Sequence, residues 1–340
     1  MAPGAREMAL STLVSQVSAW GERQNPPCRG IVPTMPGLSV LLDTDVGTDV
    51  DDAIAIALLL AAPEVDLRAI TTVSGDTRRR GHIAKKLLAL ARRADVPVAA
   101  GIREPILRQR TFLWLGHEGR GIVHDDEHPP LAPAHGVDLL IDVVLRERPH
   151  VVAIGPLSNL AVAIMKEPAV AEAIPRLTVM GGSFSRVPDV PATIEYNFGS
   201  DAEAALVTLT AGIPTTLVPL DVTSRVALTV TDLRRLRQSG SAIVQTLCGA
   251  IEVWAPIQRQ LFAGVPGLDD DIVAFLHDPL TVATLFEPSL VTIERRPLRP
   301  AIIDGGFHLL DEPGAPVLDV AVAVDARRCV ELVTDRLLSS

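Results

Sequence analysis

Five aspartates, Asp43, Asp45, Asp49, Asp51 and Asp52, crowd into ten positions of the stretch LLDTDVGTDVDDAIAIALLL, residues 41–60. Carboxylates this close repel one another, and an ionised group that is also buried is costly unless something compensates it. Either the turn is simply solvated, with Asp51 or Asp52 capping a helix, or a cation belongs there. Hard oxygen donors on a flexible turn around Gly47 suit Ca²⁺ or Mg²⁺, and with no Cys or His nearby they do not suit zinc. Asp43 closes an apolar run, while Asp51 and Asp52 open the next helix, whose N-terminus favours negative charge.

Other chemistry-bearing stretches are weaker. Ser158 in GPLSN lacks the Gly-x-Ser-x-Gly elbow of a serine nucleophile, and AIGPLSN has one glycine and no lysine, so it is no phosphate loop. His117, His124 and His128 in LWLGHEGRGIVHDDEHPP fit no standard zinc spacing and read as a polar surface loop near the functional rim.

The elements that must position these residues alternate along the chain. LSVLLD (38–43), LRAITTV (67–73), VPVAAG (96–101), HVVAIG (150–155), LTVMGG (177–182) and TTLVPLD (215–221) read as buried strands. Helical segments such as DDAIAIALLLAA, GVDLLIDVVLRER and DAEAALVTLTAG separate them. Uniformly apolar strands between helices predict an α/β fold: an open, doubly wound, mostly parallel sheet with helices on both faces, in a single domain. Residues 231–286 read as more helical, and 291–324 as adding two strands. In such sheets ligands bind beyond the carboxyl ends of the strands. The acidic turn, SGDT after Val73, GPLSN after Ile154, GGSFS after Met180 and DVTS after Leu220 should therefore share one rim.

Composition narrows the function classes. Residues 1–37 read as an N-terminal extension with a Pro/Gly-rich linker, ahead of a domain over 38–340. A net charge of −10 without a compact basic patch argues against a nucleic-acid surface; Arg78 to Arg80, Arg92 with Arg93, and Arg234 to Arg237 read as solvated helix faces. No apolar run is long enough to cross a bilayer and no secretory signal is evident, so no membrane partner is expected. Three cysteines without metal-ligand spacing fit a reducing cytoplasm.

Two enzyme classes use an Asp-x-Asp pair after the first strand. Phosphatases of the haloacid-dehalogenase type continue with Thr or Val two places past the second Asp, where this chain has Gly47. The nucleoside hydrolase family is the better match. DTDVGTDVDDAIAIAL resembles its N-terminal signature, and ITTVSGDT, VVAIGPLSNLA, LTVMGGSF, IEYNFGSDAEAA, VPLDVTSRV and FLHDPLTVA resemble further blocks in the family's order, from about residue 38 to the C-terminus.

That resemblance implies a calcium-dependent hydrolase of the N-glycosidic bond of a ribonucleoside. Asp45 would ligate calcium and take a proton from the attacking water. Asp52, Asp278 and the main-chain oxygen of Ile154 would complete the protein ligands. Asp51 would hold the ribose hydroxyls, with Glu195 and Asn197 on the other side of the sugar. His277 would assist the departing base. From the residues themselves, His117 in its polar loop reads as near the leaving base, and Tyr196, the single tyrosine, as a substrate contact. Trp254 and Phe262 would be core residues or part of a lid helix. A homodimer or homotetramer is the expected assembly. The chemistry is self-consistent: positive charge develops on the sugar as the bond breaks, and carboxylates stabilise it.

Two departures from the family pattern stand out. The turn has two residues more than the shortest form of the signature, so Asp49 competes with Asp51 and Asp52 for a role. Asp76 and Asp189 stand where the family usually has Asn, and an ionised Asp only accepts hydrogen bonds where Asn also donates. Both sit at expected sugar-binding positions. The alternatives they open are a modified ribosyl substrate, or a metal- and sugar-binding pseudoenzyme.

Overall fold

In a computed structural model, β1 (Leu38–Thr44) runs through the middle of a nine-stranded sheet. The structure describes residues 37–184, 195–263 and 269–339, all within one compact unit. The expected N-terminal extension, apart from Gly37, lies outside them, as does Asp189. After β1 come α1 (Asp51–Ala61), β2 (Val65–Thr72), α2 (Thr77–Leu90) and β3 (Val98–Ala100). A long connection leads to α3 (Gly136–Glu147), β4 (His150–Ala153), α4 (Ser158–Lys166), α5 (Ala169–Ala173) and β5 (Leu177–Met180). Then follow α6 (Tyr196–Ser200), α7 (Ala202–Leu209), β6 (Thr215–Val218), α8 (Leu220–Thr223), β7 (Ala227–Thr229), α9 (Val230–Leu236) and α10 (Ala242–Leu261). The chain closes with β8 (Ile272–Phe275), α11 (His277–Ala283), β9 (Val291–Ile303), β10 (Gly306–Asp311), β11 (Val317–Val324) and α12 (Ala326–Leu338).

The strand order is β10-β9-β11-β6-β5-β4-β1-β2-β3. From β3 to β6 and on to β11 every pairing is parallel; β9 and β10 add antiparallel at one edge. Alternate side chains of β1 enter opposite cores. Val40 and Leu42 pack with α1, α10 and α12 on one face, and Leu41 packs with α3, α4 and α7 on the other. Both faces are thus covered, as the apolar runs require. Among the described residues no helix is long and apolar enough to cross a membrane.

Two expectations need correction. β8 lies inside the region read as helical; its four residues, IVAF, pair with β7 in a small antiparallel sheet. An apolar run that short carries no periodicity of its own. The C-terminal stretch holds three strands, not two. β9 was obscured because Pro297 and Pro300 interrupt it, and prolines argue against a strand until pairing is seen.

His150 on β4 sets one pH dependence of the fold. Its Nε2 lies 2.8 Å from Thr178 Oγ1. Burial, and then the Arg176 charge, push its pKa down from 6.5 to about 4. The folded state therefore binds fewer protons than the unfolded chain between those values, and stability is lost as pH falls through that window. Thermal unfolding of His150→Gln is expected to show a shallower loss from pH 6.5 to 4. An unchanged slope would remove His150 from the account.

Candidate active site

The strand order reverses between β1 and β4: from β1 the chain builds outward to β3, then from β4 in the other direction. Such a switch point leaves a crevice beyond the carboxyl ends of the two strands. Asp43, Thr44 and Asp45 reach it from β1, and Ile154 and Gly155 from β4. The two ends are tied by Ile154 N donating to Asp43 O at 2.9 Å. A Cβ on Gly155 would sit 2.8 Å from Asp45 Oδ1, so the glycine is what lets the Asp45 carboxylate lie against this peptide.

Helix α1 starts in the same crevice without a side-chain cap at Val50, and Asp51 and Asp52 occupy its first turn. Both are almost fully buried. Thr44 Oγ1 donates to Asp52. The N-terminus of α11 arrives opposite, with the Asp278 N–H donating to Asp51 Oδ2 at 3.3 Å. Helices α1 and α11 pack directly on each other, which carries Asp278 across more than two hundred residues of sequence to this cluster.

The electrostatics are those of a buried acidic nest that a single guanidinium offsets only in part. Burial, then repulsion from neighbouring aspartates, raises Asp51, Asp52 and Asp278 well above the usual carboxylate range. Burial pushes Asp45 up to about 7, with Arg80 opposing and Asp49 adding to the shift. Asp51 Oδ1 is buried without a hydrogen-bond partner. Carboxylate oxygens of Asp49, Asp51 and Asp52 come within 4.8 Å of one another. Oxygen-only donors, net negative charge and an orphaned buried carboxylate oxygen fit a hard divalent cation. Among the described residues this is the group of three carboxylates close enough to share one ion: Asp49 joins Asp51 and the expected ligand Asp52 in it, while the other expected ligands Asp45 and Asp278 fall outside it.

The opposite wall comes from α6. Glu195 caps this short helix, accepting from Asn197 N (2.6 Å) and Phe198 N (2.8 Å), and also from Gly182 N (2.8 Å). Burial raises its pKa. Asn197 Nδ2 donates to the carbonyl of Ile154 at 3.0 Å and of Met180 at 3.2 Å, fixing the β4 carbonyl that faces the crevice. Tyr196 OH accepts from Leu113 N at 2.9 Å, tying the long connection to α6. His277 Nδ1 is 2.8 Å from Thr223 Oγ1, and burial lowers its pKa to about 4, leaving the imidazole neutral near pH 7.

His117 is buried, not on an open surface loop: its Nε2 meets Thr48 O at 2.5 Å and its ring stacks on Trp254 at 5.9 Å. The other two histidines of that stretch lie apart from it, since His124 is exposed and His128 sits beside His82 at 5.2 Å between ring centroids. Trp254 is a core residue, with its Nε1 donating to Gln258, whereas Phe262 is exposed beside Phe275. Asp76 is exposed and caps α2 through Arg79 N at 3.1 Å. Asp43 is fully buried and accepts from Thr71 Oγ1 and Asn159 Nδ2, which leaves no approach for a phosphate ester. Ser158 donates to buried Asp201 at 2.6 Å and is not a nucleophile.

The reading of Arg78 to Arg80 as a solvated face fails at Arg80, whose side chain is completely buried beneath the acidic turn. The signal was present in the sequence: Arg80 stands three, four and seven residues before Ile83, Ala84 and Leu87, on the apolar face of α2.

The sequence profile of the family described as inosine-uridine preferring nucleoside hydrolase matches residues 40–331. The pyrimidine-specific ribonucleoside hydrolase RihA of Escherichia coli O9:H4 (strain HS) is 32% identical over 321 residues, covering 88% of this chain and 98% of RihA. A probable uridine nucleosidase 2 of Arabidopsis thaliana is 31% identical over 324 residues, covering 88% and 98%. Among solved structures, the plant nucleoside hydrolase PpNRh1 superposes with a TM-score of 0.79 at 30% identity, over 90% of this chain and all of that one. The purine-preferring ribonucleoside hydrolase from Gardnerella vaginalis gives 0.76 at 26% identity, over 88% and 98%.

Proposed function

Because the chain belongs to the inosine-uridine preferring nucleoside hydrolase family and so hydrolyses the N-glycosidic bond of nucleosides, we propose that the acidic crevice between β1 and β4 is where it does so, with calcium as its metal. Asp45, Asp52, Asp278 and the Ile154 carbonyl would hold the ion. When bound, the ion lowers the pKa of a water and helps orient it. Asp45 accepts the proton that the attacking water sheds at C1′ of the ribose. Asp51, Glu195 and Asn197 hydrogen-bond the sugar hydroxyls, and the surrounding carboxylates stabilise the positive charge that develops on the ring. His277, neutral near pH 7, gives an N–H to the departing base, with Tyr196 and His117 on the base side. The observation that carries this reading is the buried carboxylate cluster, with its orphaned Asp51 oxygen, at the strand-order reversal.

A chromatographic assay of a ribonucleoside panel with calcium should show free base and ribose in equal amounts. Binding without turnover on any member would instead favour the pseudoenzyme reading. In the cell we place the enzyme in a reducing cytoplasm, where the buried thiols of Cys248 and Cys329 stay free, as a homodimer or homotetramer.

Asp76 gives a separable test of sugar recognition. Asn caps helices as well as Asp does, so Asp76→Asn should leave stability within a few tenths of a kcal/mol. Its amide also donates where the carboxylate cannot. KM for an ordinary ribonucleoside is expected to fall severalfold with kcat little changed. An unaltered KM would confine Asp76 to capping α2.

A further inference from the structure

We infer that Arg80 is a positioning residue for the acidic turn: its buried guanidinium fixes the main chain that carries Asp45 and leaves the carboxylates free for a cation. Nε donates to Ser74 O at 2.7 Å. Nη1 donates to Asp45 O and, at 3.1 Å, to Val46 O, while Nη2 donates to Thr48 Oγ1 at 3.1 Å. All four acceptors are neutral. An arginine paired directly with Asp45 or Asp52 would compete with a metal ion for the same oxygens. Bound to carbonyls and a hydroxyl, this one supplies shape.

Its donors span two loops at once. One is the turn of residues 45–50, folded onto α2 at Gly47, where φ is +123° and a Cβ would sit 2.6 Å from Ile83 Cδ1. The other is the β2–α2 connection, where Ser74 holds a left-handed φ of +74°, a conformation that persists only if its surroundings enforce it. A planar fork with fixed donor directions can bridge these acceptors; an ammonium cannot reach all of them. The Trp114 ring covers the guanidinium at 5.4 Å.

The inference rests on the calcium reading above, and opposite signs separate shape from charge. Were Arg80 only a positive charge beside the site, Arg80→Met would tighten calcium binding and Arg80→Lys would leave it unchanged. A positioning residue predicts that both variants weaken calcium about 10–100-fold, as losses behind metal ligands commonly do. It also predicts a drop in kcat of about 10²-fold, the scale of a displaced reacting group, with KM little moved. Calcium titration calorimetry and steady-state kinetics on the full chain, with thermal unfolding to verify folding, read both. Tighter or unchanged calcium binding in Arg80→Met, or wild-type behaviour in Arg80→Lys, overturns the inference. Should Arg80→Met not fold, Arg80→Lys decides. If the wild-type protein takes up no calcium, the metal reading fails by itself, and the kcat comparison alone then decides for or against Arg80.

Discussion

Asp45→Asn is expected to lower kcat for nucleoside hydrolysis by about 10²–10⁴-fold, the usual range for loss of a positioned general base. Asparagine has the same shape, so it still fits against Gly155, where a Cβ would already approach Asp45 Oδ1 to 2.8 Å. What is lost is proton-accepting power and one negative charge. KM should change little if the side chain acts mainly on the water. Stability should move the other way. Asp45 is buried within repulsive reach of Asp49, Asp52, Asp278 and Glu195, and removing its charge relieves that repulsion in the ion-free protein. A higher Tm without calcium together with a collapsed kcat is the signature of a residue kept for chemistry at the expense of the fold. Activity within tenfold of wild type would reject Asp45 as the base.

Calcium should govern both rate and stability. Four carboxylates at the crevice, Asp45, Asp51, Asp52 and Asp278, are at least nine-tenths buried, and burial with mutual repulsion holds their pKa values up. An ion that binds only the folded arrangement stabilises it by about 2.7 kcal/mol at a hundred times its Kd. Chelator dialysis is expected to abolish base release and lower Tm, and added calcium to restore both. Asp278→Asn should weaken this response strongly, because it removes the carboxylate that α11 brings to Asp51 and that we propose as a ligand. Equal Tm and equal rates with and without the ion would leave the carboxylates unexplained and end the metal reading.

The sheet was legible in the sequence because its strands are buried on both faces. LSVLLD, LRAITTV and HVVAIG are uniformly apolar for a physical reason, since Val40 and Leu42 serve one core and Leu41 the other. The motif order added the family. The edge strands β9 and β10 were harder to read: they are partly exposed, and prolines interrupt β9. The C-terminal carboxylate Asp278 was legible only through resemblance, as no local pattern links HDP to the acidic turn.

By itself, then, the chain determined its buried parallel strands and its crowded aspartates, because burial patterning and spacing are properties of neighbours in sequence, and the enzyme class came with the resemblance that the motif blocks carry. The tertiary structure alone decided that Asn197 holds the Ile154 carbonyl, that Asp278 reaches Asp51, and that Asp49 joins Asp51 and Asp52. Those facts depend on how the acidic turn folds and on where α6 and α11 dock. Packing between distant segments settles such choices, and no short stretch of residues encodes them.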